Sequence, residues 1–294
     1  MALGALFLVV LSAFLHAAWN AAAKGSGAPA AFVFLADLTA LVVLMPAFFF
    51  FRLADLTPEV WLMVVATGAI HGVYAWSLTR AYEKGDLTLV YPISRSTPAF
   101  VPFLAVPLLG ERVSLAGGFG IALVMIGMWM VSTNARVAGL NLVTPELRFA
   151  YVTLAATVAY SLVDKRAMAL LDANPWQGPA PRAVAYYALL CVSYLPFFFV
   201  FSRRRLQLGS LKATARARPL AIVSVVIASF VSYTLILQAL RTAPVSYVVA
   251  TRQLSVVFAV ALALFWLRER PSRARIVGAL LTVVGVATIG LAGA

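Results

Sequence analysis

The sequence predicts an all-α, polytopic membrane protein with ten transmembrane helices arranged as two inverted five-helix repeats. Three observations carry this prediction. Apolar runs of about 20 residues, the length that spans a bilayer core, recur along the chain. Residue types recur in matching order in the two halves. Five spans per half is an odd number, so the second half enters the membrane from the opposite side. With 63% hydrophobic and 11% charged residues over 294 positions, the composition lies far outside that of soluble domains. The formal charge of +13 sits mostly in short connectors between apolar runs, where it is a topology signal, and no nucleic-acid partner is expected. Cys191 is the single cysteine and lies within an apolar run, which excludes an intrachain disulfide or a Cys/His zinc cluster. No metal or cofactor is expected.

Apolar length, charged connectors and Gly/Pro breaks place the spans near 2–23, 29–51, 59–81, 87–109 and 114–133, then near 147–164, 182–201, 219–240, 243–266 and 274–292. The first run lacks the basic start of a secretory signal, although Ala21 to Ala23 imitates a cleavage site. It is kept as a helix because its end recurs later in the chain. The second span carries Asp37, a candidate proton site, and reaches Pro46 and an aromatic run. The third contains Gly68 and Gly72, a GxxxG pair suited to close helix packing. The fourth holds Pro92, Pro98, Pro102 and Pro107, whereas the ninth has only Pro244 at its start. Interior proline removes a helical hydrogen bond, so the fourth helix is expected to be bent and the ninth straighter, giving an asymmetric gate. Gly120 with Gly127 in the fifth span and Gly278 with Gly285 in the tenth read as packing faces, with dimerisation as the secondary meaning. Trp61, Trp129 and Trp266 read as interfacial anchors, and Trp176 as a cap over the outer mouth.

The repeat is visible residue by residue. Trp19 and Lys24 match Tyr160 and Lys165; Pro46 with its phenylalanines matches Pro196 with its own; Glu111, Arg112, Gly120 and Gly127 match Glu269, Arg270, Gly278 and Gly285. The offset grows along the chain, so the second half carries longer connectors near Asp172 to Pro181 and Ser202 to Arg218. The domain reading is a first repeat over 1–136, a linker over 137–146 and a second repeat over 147–294. Inverted repeats are an alternating-access signature.

These features resemble the EamA family of the drug/metabolite transporter superfamily. The resemblance rests on the segment HAAWNAAAK ending the first helix, the ends GERVSLAGGFGIALVMIG and RERPSRARIVGALLTVVG of the two repeats, and their order, and it covers nearly the whole chain. It implies an exporter of small organic molecules with a cavity framed by the first four helices of each repeat. A YddG-like subgroup, exporting aromatic amino acids and methionine, is the narrower resemblance.

The candidate site follows from charge inside the membrane. Arg95 and Arg252 occupy matching places in the fourth and ninth spans. A guanidinium at a helix centre costs roughly 2.5 to 3.5 kcal/mol and cannot be neutralised, so each must face a cavity, a partner or an anionic ligand. Each lies about eight or nine residues into its span, ~12 to 14 Å into a core ~30 Å thick. A substrate carboxylate could accept a bidentate pair of hydrogen bonds there. The alternative is that one or both pair with a carboxylate, Asp37 or Asp164, or with backbone carbonyls, to fix helices in place. His16 and Asn20, with Trp19 beside them, share a face of the first helix with Ser12; His71 and Tyr74 lie along the third. Trp19, Tyr74, Tyr91 and Tyr160 would supply aromatic walls, and His16, Asn20, Ser94 and Gln253 sparse polar groups, with His16 or His71 able to titrate. Pro46, Pro92, Pro98 and Pro196 are the candidate gating residues.

Basic residues crowd the face holding the odd-numbered connectors, chiefly Arg203, Arg204, Arg205, Lys212, Arg216 and Arg218. Positive-inside reasoning makes that face cytoplasmic and puts both termini outside, in what is expected to be a bacterial inner membrane. The expected partners are a carboxylate-bearing small molecule and membrane lipid, the protein being a monomer or homodimer. A lipid or amphiphile flippase or drug exporter is the rival within transport. An integral membrane enzyme is the rival class, and no HExxH, Cys cluster or phosphate loop supports it.

Overall fold

The computed structural model of the protein describes residues 1–23, 29–50, 52–84, 87–133, 141–173, 181–265, 268 and 271–292. Among these there is helix and connector but no strand. The α-helices are α1 (Leu3–Ala23), α2 (Pro29–Leu44), α3 (Pro58–Lys84), α4 (Leu87–Ser94), α5 (Thr97–Leu109), α6 (Leu115–Thr133) and α7 (Arg148–Ala173). They continue as α8 (Arg182–Ser202), α9 (Leu208–Ala217), α10 (Pro219–Thr242), α11 (Val245–Thr251), α12 (Leu254–Phe265) and α13 (Arg273–Ala292). Six stretches among the described residues are long and apolar enough to cross a membrane: Pro58–Glu83, Leu115–Thr133, Arg182–Ser202, Pro219–Thr242, Val245–Phe265 and Arg273–Ala292. Shorter apolar helices cover Leu3–Ala18 and Ala30–Leu44. Large apolar side chains cover the outside, with Leu115 96%, Phe49 90% and Leu220 83% exposed. Water would penalise such a surface and lipid tails accommodate it. The protein is a polytopic, all-helical membrane protein.

Close packing is set by small residues. At α6 and α13 the helices run antiparallel, Gly120 opposite Gly285 and Gly127 opposite Gly278. A Cβ on Gly127 would come within 2.4 Å of the Gly278 carbonyl oxygen, and one on Gly285 within 2.6 Å of that of Gly120. These glycines therefore cover one another within the chain, and their faces are not left open for a second copy. Gly68 and Gly72 seat α3 on α8, where a Cβ at Gly68 would stand 1.7 Å from Ser193 Oγ. Ser12 and Ser232 join α1 to α10 reciprocally, each hydroxyl donating to the other's carbonyl at 2.7 and 3.0 Å. The dominant pairs α1–α10, α3–α7 and α6–α13 each join a helix before the linker to one after it.

Two of these helices end on polar clasps. The Glu111 carboxylate accepts from the backbone N–H groups of Val245 and Ser246 and from Ser246 Oγ, satisfying orphan donors in the first turn of α11. Lys165 Nζ donates to the carbonyls of Leu240 at 2.6 Å and Ala243 at 2.9 Å, closing the end of α10.

Several sequence expectations are corrected here. Irregularity is not confined to the fourth span, because the ninth is also interrupted at its arginine. The α4–α5 break falls at Arg95 and Ser96, and the α11–α12 break at Arg252 and Gln253. At both, hydrogen bonds tighten to three-residue spacing, Ser96 N to Ile93 O and Gln253 N to Ala250 O, each at 3.0 Å. The second break needs no proline within the span, so tertiary surroundings and not ring chemistry make it. The helix of the sixth span runs past 164 to Ala173, since Asp164, Lys165 and Arg166 end the apolar run without ending the helix. The connector after α8 contains α9, and the second span ends in a 3₁₀ segment, Met45–Phe50. Trp129 is no simple interfacial anchor: its Nε1 donates to Ser96 Oγ at 3.0 Å, tying α6 to the α4–α5 break. Lys24, Trp176, Trp266, Glu269 and Arg270 lie outside the described residues.

Candidate functional site

The two breaks bring charge and unsatisfied polarity to the middle of the bundle. At the first, the Arg95 guanidinium donates from Nη1 to Ser255 Oγ and from Nη2 to His16 Nε2, both at 2.8 Å. Its carbon lies 4.7 Å from the Tyr91 ring centroid. Because arginine only donates, His16 Nε2 must be the acceptor here. Arg95 thus ties α1 and α12 to the α4–α5 break. At the second break Arg252 sits 5.6 Å from the ring centroid of Tyr233. Its guanidinium makes no hydrogen bond or ion pair with any described residue. Neither arginine is ion-paired to Asp37 or Asp164.

Around Arg252 the walls are aromatic. His71 stacks on Tyr160 with centroids 4.1 Å apart, and Tyr74 meets Tyr160 edge to face at 5.5 Å. Tyr194 and Tyr233 present their rings to His71 at 6.5 and 5.6 Å. Behind them Asp164, wholly buried, accepts hydrogen bonds from Thr67 Oγ1 at 2.7 Å, Tyr186 Oη at 2.9 Å and Tyr233 Oη. Asp37 accepts from Tyr194 Oη at 2.5 Å. Arg252, Asp164, Tyr160, Ser161 and Tyr233 line a void of only about 10 Å³, room for roughly one water. A larger cavity of about 430 Å³ opens at the bundle end by Arg112, Ser114, Pro244 and Tyr247.

Buried polar atoms at the breaks lack partners. Ser94 Oγ, Thr97 Oγ1, Thr251 Oγ1 and Gln253 Oε1 are enclosed with no hydrogen-bond partner among the described residues. Such atoms are rare because each forfeits its hydration, and they call for water or ligand.

A family model for the EamA-like transporter family matches residues 3–133 and again 148–291. The chain belongs to the EamA-like transporter family. Its double match spans both halves and leaves out the connector between Thr133 and Arg148. Among curated proteins a sequence search finds no match. A crystal structure of a protein 15% identical aligns over 98% of this chain and 96% of its own at a TM-score of 0.64, so this EamA chain shares its fold.

Of the residues singled out from the sequence of this EamA protein, the fold gathers His71, Tyr74, Tyr160 and Arg252 into one cluster and His16, Tyr91 and Arg95 into a second. Ser94 and Gln253 are buried beside the breaks. Asp37 joins the first cluster through Tyr194. Trp19 and Asn20 lie on α1 with their side chains outside the described residues. Pro92 sits inside α4 and Pro98 at the start of α5. Pro46 and Pro196 do not match structurally: Pro46 is in the 3₁₀ segment and Pro196 inside the continuous α8. Sequence reading missed Thr67, Tyr186, Tyr194, Tyr233 and Ser255. Two signals were present, Thr67 four residues before His71 and Tyr186 eight before Tyr194, both on single helical faces.

Proposed function

We propose that this EamA protein is a secondary transporter that exports small carboxylate-bearing metabolites, aromatic amino acids or methionine above all, across a bacterial inner membrane. In this reading ten spans form two inverted repeats, 1–136 and 147–294 joined by 137–146, that alternate access to a central site. The observation that carries it is the Arg252 guanidinium, half-buried at the second helix break, without a hydrogen bond to any described residue and close to the Tyr233 ring. Its unspent donors can take an anion, and a carboxylate fits its planar fork. Arg95, at the matching break, is the second donor, released from His16 and Ser255 when substrate arrives. His16, Trp19, Asn20, Tyr74, Tyr91, Tyr160, Ser94 and Gln253 complete the proposed pocket, and His71 bounds it.

The void at Arg252 is far below the roughly 300 Å³ or more of a small-molecule pocket. Helices must therefore separate to admit cargo. The two breaks supply hinges, since three-residue hydrogen bonding within a helix marks a place where it can bend. Pro92 and Pro98 adjust the first hinge, while Pro46 and Pro196 let the second and seventh spans tilt.

Counterflow in proteoliposomes with a panel of amino acids tests the reading. Arg252→Ala and Arg95→Ala should each lower exchange of phenylalanine or methionine by about 10- to 100-fold, the worth of a charged hydrogen bond. Exchange unchanged in both variants rejects the clamp. Lipid analogue movement without amino-acid exchange would turn the assignment to a flippase.

A further inference from the structure

We infer that His71, Tyr233 and Asp164 form a relay holding one exchangeable proton beside the proposed site, which makes the proton the coupling ion. This rests on the transporter reading above and adds its driving force.

His71 Nδ1 faces the Thr67 carbonyl oxygen at 2.9 Å, and a carbonyl only accepts, so Nδ1 carries a proton. The Thr67 hydroxyl lies 3.1 Å from the same nitrogen but spends its own proton on Asp164 Oδ1 at 2.7 Å. Tyr186 Oη also donates to Oδ1. Tyr233 Oη is left between two groups, Asp164 Oδ2 and, at 3.1 Å, His71 Nε2. It owns one hydrogen. With Asp164 ionised and His71 neutral, that hydrogen can serve only one neighbour, and the other contact sets two acceptors face to face.

One further proton resolves the conflict in two ways. If it sits on His71 Nε2, the imidazolium donates to Tyr233 oxygen and Tyr233 donates to ionised Asp164. If it sits on Asp164 Oδ2, the carboxyl donates to Tyr233 oxygen and Tyr233 donates to neutral His71. The forms interconvert without gain or loss of a proton: the Asp164 O–H bond breaks as its proton joins Tyr233 oxygen, while the Tyr233 O–H bond breaks as that hydrogen joins His71 Nε2.

Every element packed around the relay adds to its setting. On α7, Tyr160 stacks on His71; from α8 come Tyr186 and Tyr194; from α10, Tyr233. Asp37 of α2 reaches it through Tyr194, Tyr74 lies on α3 with His71, and Arg252 at the α11–α12 break stands over the Tyr233 ring. Arg252 is the one permanent charge lining the void with Asp164. A substrate carboxylate arriving at Arg252 would share this void with the relay. Substrate and proton occupancy are linked through Tyr233.

Two measurements decide this. Infrared difference spectra of substrate-free proteoliposomes stepped between about pH 5 and 8 should show carboxyl and imidazole bands titrating together in the wild type, as coupled sites do. The joint transition should vanish in Asp164→Asn and separate into independent transitions in Tyr233→Phe, which keeps the ring under Arg252. Bands that titrate independently in the wild type, or a joint carboxyl and imidazole transition that persists in Asp164→Asn, overturn the relay. In vesicles loaded with a pH dye, an imposed proton gradient should drive phenylalanine uptake, and the ratio of gradient-driven uptake to counterflow should fall at least tenfold in Tyr233→Phe. An unchanged ratio overturns coupling. The infrared arm needs no substrate, so wild-type vesicles that move no phenylalanine reject the substrate reading alone.

Discussion

Arg95 and Arg252 stand at equivalent chain positions yet are satisfied unequally, and the difference defines what each can do. Arg95 spends its fork on His16 and Ser255, drawing three helices together. Arg252 keeps its donors unspent over the Tyr233 ring. Arg95→Lys retains charge but forfeits two-point donation, so transport should fall toward the Arg95→Ala level; wild-type exchange by the lysine variant would show that charge alone suffices. Glu111→Ala removes the acceptor for the first turn of α11 and should cost about 1 to 2 kcal/mol of stability, read as a lower thermal midpoint in detergent. The charged positions were legible because an arginine inside an apolar run is conspicuous in any sequence. Their partners were not: Ser255 and Tyr233 are ordinary residues for a membrane helix, and only their placement across 160 and roughly 20 positions of chain gives them a role.

At the scale of the element, the matched breaks carry more meaning than the prolines. Proline crowding in the fourth span suggested a bend there alone, yet α11 and α12 part at the corresponding place without it. Removing Pro92 or Pro98 by alanine substitution should therefore leave abundance near wild type while changing the transport rate; equal loss of both would reduce the prolines to a folding role. The α6–α13 contact is the opposite case, rigid by construction. Gly127→Val should abolish folded yield, since a side chain there meets backbone on α13, whereas Gly118→Val, with open space around its Cβ position, should be silent in the same purification assay. The glycine spacing of seven was readable in the sequence, but its partner was ambiguous between a second copy and the other repeat. Packing resolved it, because only the antiparallel pairing inside the chain brings Gly120 to Gly285 and Gly127 to Gly278 together.

For the molecule as a whole, helices before and after the linker interleave, so neither half owns a core that could stand alone. Interleaving suits the proposed alternation, in which motion of one half against the other must open the space between them. The basic cluster from Arg203 to Arg218, part of it on the short helix α9, is the basis of the expected orientation. A protease-cleavable tag at the C-terminus should be cut from outside intact cells; protection in cells with cleavage only after permeabilisation would invert the topology.

The sequence alone determined the membrane class, the family resemblance and the two arginines within apolar runs, because bilayer thickness and charge transfer act on each segment locally and leave a direct record in residue order. It did not determine who satisfies those cations, where α7 ends, that the ninth span breaks, or that Asp164 is wrapped by hydroxyls from α3, α8 and α10. Those depend on which polar atoms meet after distant helices pack. In an apolar interior every donor must find an acceptor somewhere, and only the tertiary structure decides where.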